Sequence, residues 1–359
     1  MANSSRVTVA RAGPGVLLGI LLLLSGAAHA WDATGHRLSA YVVWESLSFE
    51  RRAALITLLE AHPRYQQDFV EQMPLTVMVG SEEEKLRWTL GQAAVWPDLV
   101  RGLGEEERIR YDRPTWHYID GAWLRGEGLQ GNLYVGADAL PTIPGEPPGS
   151  VTDERDVDNV VLALEYNLAV LEDASASAAQ RAVALCWVLH LGGDIHQPLH
   201  SGALISNTLF PNGDRGGNAI PTRNGSLHSE WDEALRNQAF EDTLRRMVVT
   251  AQQADLRSLS LDPSVWLQES RRLLHDFVYP DEIKAAVLRS ERLGRRMEGI
   301  VIDADYSSRM QAISEDRVTL ASMRMIMLLG GPQEQPFTPL TEQLQRETDA
   351  LPPAAGPVN

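Results

Sequence analysis

Apolar side chains recur at helical spacing along most of the chain. Val157, Val160, Val161, Leu164 and Leu168 fall on one face of a helix predicted from Asp156 to Leu171, with Asp153 upstream as a candidate cap. Gln180 to His190 is apolar on nearly every face, which predicts a buried helix. Glu230 to Thr250, Pro263 to Phe277, Pro280 to Ile300 and Arg317 to Leu329 complete the predicted helices. Alternation with period two never persists, so no substantial sheet is expected. Gly121 to Ser150 and Ser201 to Leu227 are rich in Gly and Pro and predict long surface loops, a length that often carries function inside a compact domain. From about Pro332 the periodicity is lost, predicting a disordered tail over 332–359. The expected architecture is all-α: a single helical domain with long loops over 31–331.

The first thirty residues follow a different pattern. Arg6 and Arg11 precede an apolar run, Val16 to Leu24, interrupted by Gly19, and Ala28-His29-Ala30 places small residues where a signal peptidase reads. Residues 1–30 are therefore expected to be a secretory signal cleaved after Ala30, leaving Trp31 as the new N-terminus of a secreted or periplasmic protein. The run is shorter than the about 18 apolar residues of a membrane helix, and no later run reaches that length. No membrane span is expected once the signal is gone.

Charge and cysteine usage narrow the chemistry. The net charge of the 359 residues is −16, and −18 without Arg6 and Arg11. That excludes a protein held on nucleic acid by a broad basic face, but not an enzyme whose positive charge comes from bound metal. Cys186 is the only cysteine, so neither an intrachain disulfide nor a cysteine zinc ribbon can form. A metal site must use His, Asp, Glu and backbone groups.

Histidine supplies the candidates. His190 and Asp194 are four apart and share a helix face; Pro198 then ends or kinks that helix, letting His200 swing back toward it. His228 and Asp232 repeat the four-residue pairing on the next helix. Two such pairs on neighbouring helices suit a metal site embedded in a bundle, and imidazole with carboxylate suits zinc. Unpaired polar groups beside the apolar run Ala182 to Leu191 would be costly, and a metal satisfies both at once. Trp96-Pro97-Asp98 and Trp116-His117 each set a potential ligand near a tryptophan, and a free Trp31 could chelate through its amine and carbonyl five residues before His36. His62 and His275 fall outside these patterns, and His196 is expected to be a support or surface residue rather than a ligand.

From Trp31 to about Leu329 the sequence resembles the secreted, single-strand-specific three-zinc nucleases with 3′-nucleotidase activity, a family sharing its fold with the zinc phospholipases C. The resemblance rests on Trp31 with His36, Trp96 to Asp98, His117, the string from His190 to His200, Asp214-Arg-Gly-Gly-Asn218, His228 to Asp232, Trp266 to Ser270 and Val278-Tyr279. It implies three zinc ions: one on Asp98, His117, His190 and Asp194; a second on His200, His228 and Asp232; a third on the amine and carbonyl of Trp31 with His36, Asp194 bridging it to the first. It further implies metal-assisted in-line attack of a deprotonated water, no protein acid for the leaving 3′-oxygen, and 5′-phosphorylated products from single-stranded RNA or DNA, or from 3′-nucleotides. Asp98 and Asp194 would act as ligands in catalysis, Arg101 as the group holding the phosphate or transition state, Asp120 as a hydrogen-bond partner of the base and Tyr118 as a stacking surface beside it. The Asp214–Asn218 loop would shape the rim and support the ligands. No stable protein partner is implied.

Departures from the family pattern are Pro97, where a small residue is usual, the missing disulfides of eukaryotic members, an unmatched stretch from Gly126 to Ser150, and the extra tail. Two alternatives compete: a zinc-dependent phospholipase C, against which stand the short Trp31–His36 spacing and Asp232 in place of Glu, and a non-catalytic exported zinc-binding protein, against which stand Arg101 and Asp120.

Overall fold

The computed structural model describes residues 31–119, 123–124, 133–138, 153–206 and 208–330. The expected signal (1–30), the tail (332–359) and Asp120 lie outside them.

Among the described residues the chain forms twelve α-helices: α1 (Ala33–Ser46), α2 (Phe49–Glu60), α3 (Leu75–Met78), α4 (Glu82–Leu99), α5 (Glu105–Tyr111), α6 (Val160–Glu172), α7 (Ala178–Asp194), α8 (Leu227–Asp232), α9 (Phe240–Gln253), α10 (Pro263–Leu273), α11 (Asp281–Leu293) and α12 (Ala304–Leu328). The fold is all-α, as expected. Its starts are set by local chemistry. Ser81 and Glu84 close a capping box on α4, and Ser177 and Gln180 close one on α7. Asn159, rather than Asp153, caps α6; Asp153 caps the short 3-10 turn Glu154–Asp156 before it.

Helix α7 is the spine. It packs against α6, α4, α2, α1 and α12, and every residue from Ala184 to Asp194 is buried. Gly192 and Gly193 admit its neighbours. A Cβ at Gly192 would sit 2.6 Å from the Met325 sulfur of α12, and one at Gly193 would sit 3.0 Å from His36 Nδ1 of α1. The all-round apolar sequence is thus explained by burial on several sides.

Four expectations need correction. Glu230 to Thr250 is not one helix: α8 ends at Asp232 and α9 begins at Phe240. In between, Ala234 and Leu235 enter the core and Arg236 turns to Asp32, Nε to Oδ2 at 2.7 Å, so tertiary contacts override the helical period. The last predicted helix starts thirteen residues early, at Ala304, because Asp303 accepts from Tyr306 N and caps it there. The loop segments carry a small antiparallel ribbon: β1 (Trp123–Leu124), β2 (Leu133–Asp138) and β3 (Ala203–Ser206), with β2 central and Leu133 opposite Ser206. It is too slight to alter the fold class. Gly294, at φ 58°, ends α11 before the predicted Ile300.

Candidate metal centre

Helices α1, α4, α7 and α8 and the short turns after α5 and α7 deliver eight side chains to one buried region. Asp98 closes α4, with Pro97 inside the helix rather than ending it. His117 ends the turn Pro114–His117, His190 and Asp194 lie on the last turn of α7, and His200 ends the turn Pro198–His200. His36 comes from α1; His228 and Asp232 span α8.

These residues form three groups whose ligand atoms lie within 4.8 Å of one another: His36, His190 and Asp194; Asp98, His117 and His190; and His200, His228 and Asp232. Asp194 divides its oxygens. Oδ2 lies 3.0 Å from His117 Nδ1 and 3.2 Å from His190 Nε2, while Oδ1 lies 3.4 Å from His36 Nε2. Asp98 Oδ1 is 3.8 Å from His190 Nε2 and 3.9 Å from His117 Nδ1. His228 Nε2 is 3.3 Å from both Asp232 Oδ2 and His200 Nε2. Trp31 is fully buried one turn before His36, its indole N–H donating to Gly193 O at 3.1 Å. Asp32 caps α1, and its backbone N–H donates to Asp232 O at 3.0 Å, pinning the start of the domain to α8.

Backbone carbonyls decide which imidazole nitrogens are available. His190 Nδ1 donates to Ala94 O at 2.8 Å, His228 Nδ1 to Gly216 O at 2.6 Å, and His200 Nδ1 to His117 O. A carbonyl only accepts, so the proton sits on Nδ1 and each Nε2 presents a lone pair to the centre. His190 Nε2 then faces His117 Nδ1 at 2.9 Å, and His200 Nε2 faces His228 Nε2. Neither ring nitrogen of His36 has a hydrogen-bond partner among the described residues, nor has Asp194 Oδ1. Buried, converging and unsatisfied lone pairs are what a cation resolves, and the donor set of imidazoles and carboxylates fits zinc.

Titration agrees. Burial pushes His36 down to about 3, and burial with the nearby Arg101 charge pushes His117 down to about 4, so both rings are neutral at neutral pH and could each offer a lone pair to a metal. Burial opposes charge on His190, but the Asp194 and Asp98 carboxylates outweigh it and raise its pKa; its proton is one a metal must displace. Burial also works against ionising Asp194, yet His190 and His117 hold its pKa well below the carboxylate range. Burial lifts Asp232 well above that range.

The model of the S1/P1 nucleases matches residues 31–331. The chain belongs to the S1/P1 nuclease family. No curated protein shows a significant match to it. Membership supports a nuclease or phosphodiesterase activity in a zinc-dependent family, and the three buried groups of this S1/P1 nuclease could each hold a metal ion. None of its described helices is long and apolar enough to cross a membrane.

The substrate candidates are placed less completely. Arg101 is mostly buried, its guanidinium 3.2 Å from Asp98 Oδ1, so it stands at the centre rather than on the open surface. Tyr118 is half-buried next to His117, its carbonyl accepting from Val160 N. His62 is buried against Trp96, and His275 is exposed.

Supporting residues surround the centre, among which Gln197, Arg317 and Arg324 escaped the sequence. Gln197, fully buried, donates to Asp232 Oδ1 at 2.8 Å and accepts from Leu199 N, fixing the carboxylate of the third group. The Asp214–Asn218 loop acts through its backbone. Gly216, at φ 57°, carries the carbonyl that orients His228, and a Cβ there would run into Leu199 O. Asp214 holds the loop by accepting from Leu204 N at 2.9 Å and Tyr279 Oη at 2.8 Å. His196 is fully buried rather than at the surface. Its Nδ1 donates to Gly192 O at 2.7 Å and its Nε2 accepts from Arg324 at 2.6 Å, an arrangement only the neutral ring can make. Arg324 in turn grips Glu269 through two bonds of 2.7 Å, and Arg317 binds both Glu269 and His196 O. Helix α12 thus buttresses the turn that carries His190 and Asp194. The only sequence signal was position: Gln197 and His196 lie inside the histidine string.

Proposed function

We propose that the chain, processed to begin at Trp31 and exported, is a three-zinc phosphodiesterase that hydrolyses single-stranded RNA and DNA to 5′-phosphorylated products and removes phosphate from 3′-nucleotides. The observation that carries this is the set of Nε2 lone pairs of His190, His200 and His228, bared by carbonyl-bonded Nδ1 groups and aimed at buried carboxylates.

Asp98, His117, His190 and Asp194 would hold one zinc, His200, His228 and Asp232 a second, and His36 with the amine and carbonyl of Trp31 a third. The two oxygens of Asp194 face different histidines, which supports its role as the bridge. Zinc held by these residues would supply Lewis acidity that activates water near neutral pH and positive charge to offset that of the leaving oxygen. Asp98 keeps the Arg101 guanidinium against the centre, where it meets a non-bridging phosphate oxygen. Gln197 orients the Asp232 carboxylate, whose proton a bound metal would displace. Asp120 and Tyr118 would receive the base. Three dications against three carboxylates would leave local positive charge, which reconciles a phosphodiester substrate with the net charge of −18 of the processed chain.

The test is incubation of protein beginning at Trp31 with single-stranded RNA, single-stranded DNA, a 3′-mononucleotide and phosphatidylcholine. Expected are 5′-phosphorylated fragments and free nucleoside. Release of phosphorylated headgroup without nucleotide would make it a phospholipase C instead, and bound zinc with no turnover would make it a metal-binding protein.

A further inference from the structure

Pro97 sits inside the last turn of α4, one residue before Asp98. A proline has no N–H to give the carbonyl four residues back, here Ala93 O, and its ring crowds that carbonyl. The turn that carries Asp98 therefore lacks one of its own helical bonds, and its direction must be fixed from outside the helix. The same turn serves the centre twice, because Ala94 O accepts from His190 Nδ1 at 2.8 Å.

The missing constraint comes from the segment between α2 and α3. There Gln66–Val70 form a single π-helical turn, a widened turn that often marks functional positions. It is fastened to α4 at two points about one turn apart. Asp68 O accepts from Gln92 Nε2 at 2.8 Å, and Asp68 Oδ2 accepts from the Trp96 indole N–H at 2.8 Å. Arg64 locks the carboxylate, Nε to Oδ2 at 2.7 Å and Nη2 to Oδ1 at 2.8 Å, a bidentate fork that fixes orientation as well as charge. Asp68, Gln92 and Trp96 are all buried, so water competes little for these bonds. His62, which belongs to no ligand group, and Tyr111 pack edge to face against the Trp96 ring, centroids 4.4 and 5.4 Å away.

We propose that the Arg64–Asp68–Trp96 chain is a positioning device for Asp98. It stands in for the helical bond that Pro97 removes, and so holds the Asp98 carboxylate where the zinc of the Asp98, His117, His190 and Asp194 group is to bind. The proposal rests on the assignment of that group as a zinc site. Neither Asp68 nor Trp96 belongs to a ligand group; both act through the backbone of α4.

The test separates this role from plain support of the fold by removing the proline. Wild type, Trp96→Phe, Pro97→Ala and the double variant, each beginning at Trp31, are loaded with zinc, counted by native mass spectrometry and titrated with a competing chelator, and Tm is recorded for each without metal. Trp96→Phe keeps an aromatic ring and deletes the N–H given to Asp68. It is expected to weaken one zinc about tenfold, the lower end for losing a partner outside the ligand shell. Pro97→Ala returns an N–H to Ala93 O, so in the double variant most of that loss should be recovered. Should Trp96→Phe misfold, Asp68→Asn, which breaks the fork with Arg64, takes its place in the same cycle. A merely structural clamp would lower Tm equally in both backgrounds and leave zinc affinity alone. That result, or a loss of affinity that Pro97→Ala does not relieve, would overturn the proposal while leaving the metal centre standing. A wild type that binds no zinc would overturn the metal assignment itself, and the proposal with it.

Discussion

Replacing Glu269 by Gln tests whether α12 holds the metal-binding turn by charge. Glu269 accepts from Arg324 twice at 2.7 Å and from Arg317 at 3.0 Å. Arg324 is 2% exposed and Arg317 7%, so Glu269→Gln would leave two buried guanidiniums repelling each other across neutral His196. Removing one partner of a buried ion pair costs about 3–5 kcal/mol. The Glu269 side chain is 27% exposed, which places the cost near the lower limit, about 3 kcal/mol. For a domain of this size, with an unfolding entropy of about 0.6 kcal/mol/K, that lowers Tm by roughly 5 °C. The pH dependence follows from the same contact. Burial opposes ionisation of Glu269, but Arg324 and Arg317 outweigh it and hold its folded pKa below the ordinary value. The native state therefore binds fewer protons than the unfolded one near that pKa. The stabilisation is complete above about 4.3 and disappears as pH falls through the folded value. Calorimetry of wild type and Glu269→Gln from pH 7 down to about 3 should show the gap in Tm closing below about pH 4. A gap under about 1 °C at pH 7, or one that does not close on acidification, would refute the buttress.

Other substitutions probe the centre directly. Asp194→Asn removes the charge that faces His36 on one side and His117 and His190 on the other, so it should be the most damaging single change; retention of full zinc content and normal turnover would show that Asp194 bridges nothing. Gly216→Ala puts a Cβ into Leu199 O at positive φ and displaces the carbonyl bonded to His228; turnover should fall at least tenfold with zinc lost first from the His200–His228–Asp232 group, checked by metal analysis. Protein expressed as Met-Trp31 converts the terminal amine to an amide, a far poorer ligand, and should lose one zinc and most activity with circular dichroism unchanged. A stable hairpin stem should be cut much more slowly than its loop, because a paired base must first unstack at a cost of a few kcal/mol; comparable rates would count against base entry beside Tyr118.

What the sequence disclosed and what it hid divide along contact range. The His190/Asp194 and His228/Asp232 pairs were legible because four-residue spacing fixes a shared helix face, and both pairs meet at 3.2–3.3 Å. Helices α1 and α4 were missed. Their buried stretches, from Leu38 to Trp44 and from Trp88 to Pro97, are covered on several sides, which erases the one-faced period. The break between α8 and α9 depends on Arg236 reaching Asp32, 204 residues away. The roles of His196 and Gln197 depend on Arg324 and Asp232, 128 and 35 residues distant, and no local pattern encodes a partner so remote.

The number of zinc ions per chain, counted by native mass spectrometry on protein beginning at Trp31, tests the central claim most directly. The converging histidines and carboxylates predict three, reduced to zero by chelator and restored together with phosphodiesterase turnover when zinc is returned. A chain that is fully active with no zinc, or that binds zinc elsewhere and keeps three ions after His190 and His228 are both replaced by Ala, would contradict it.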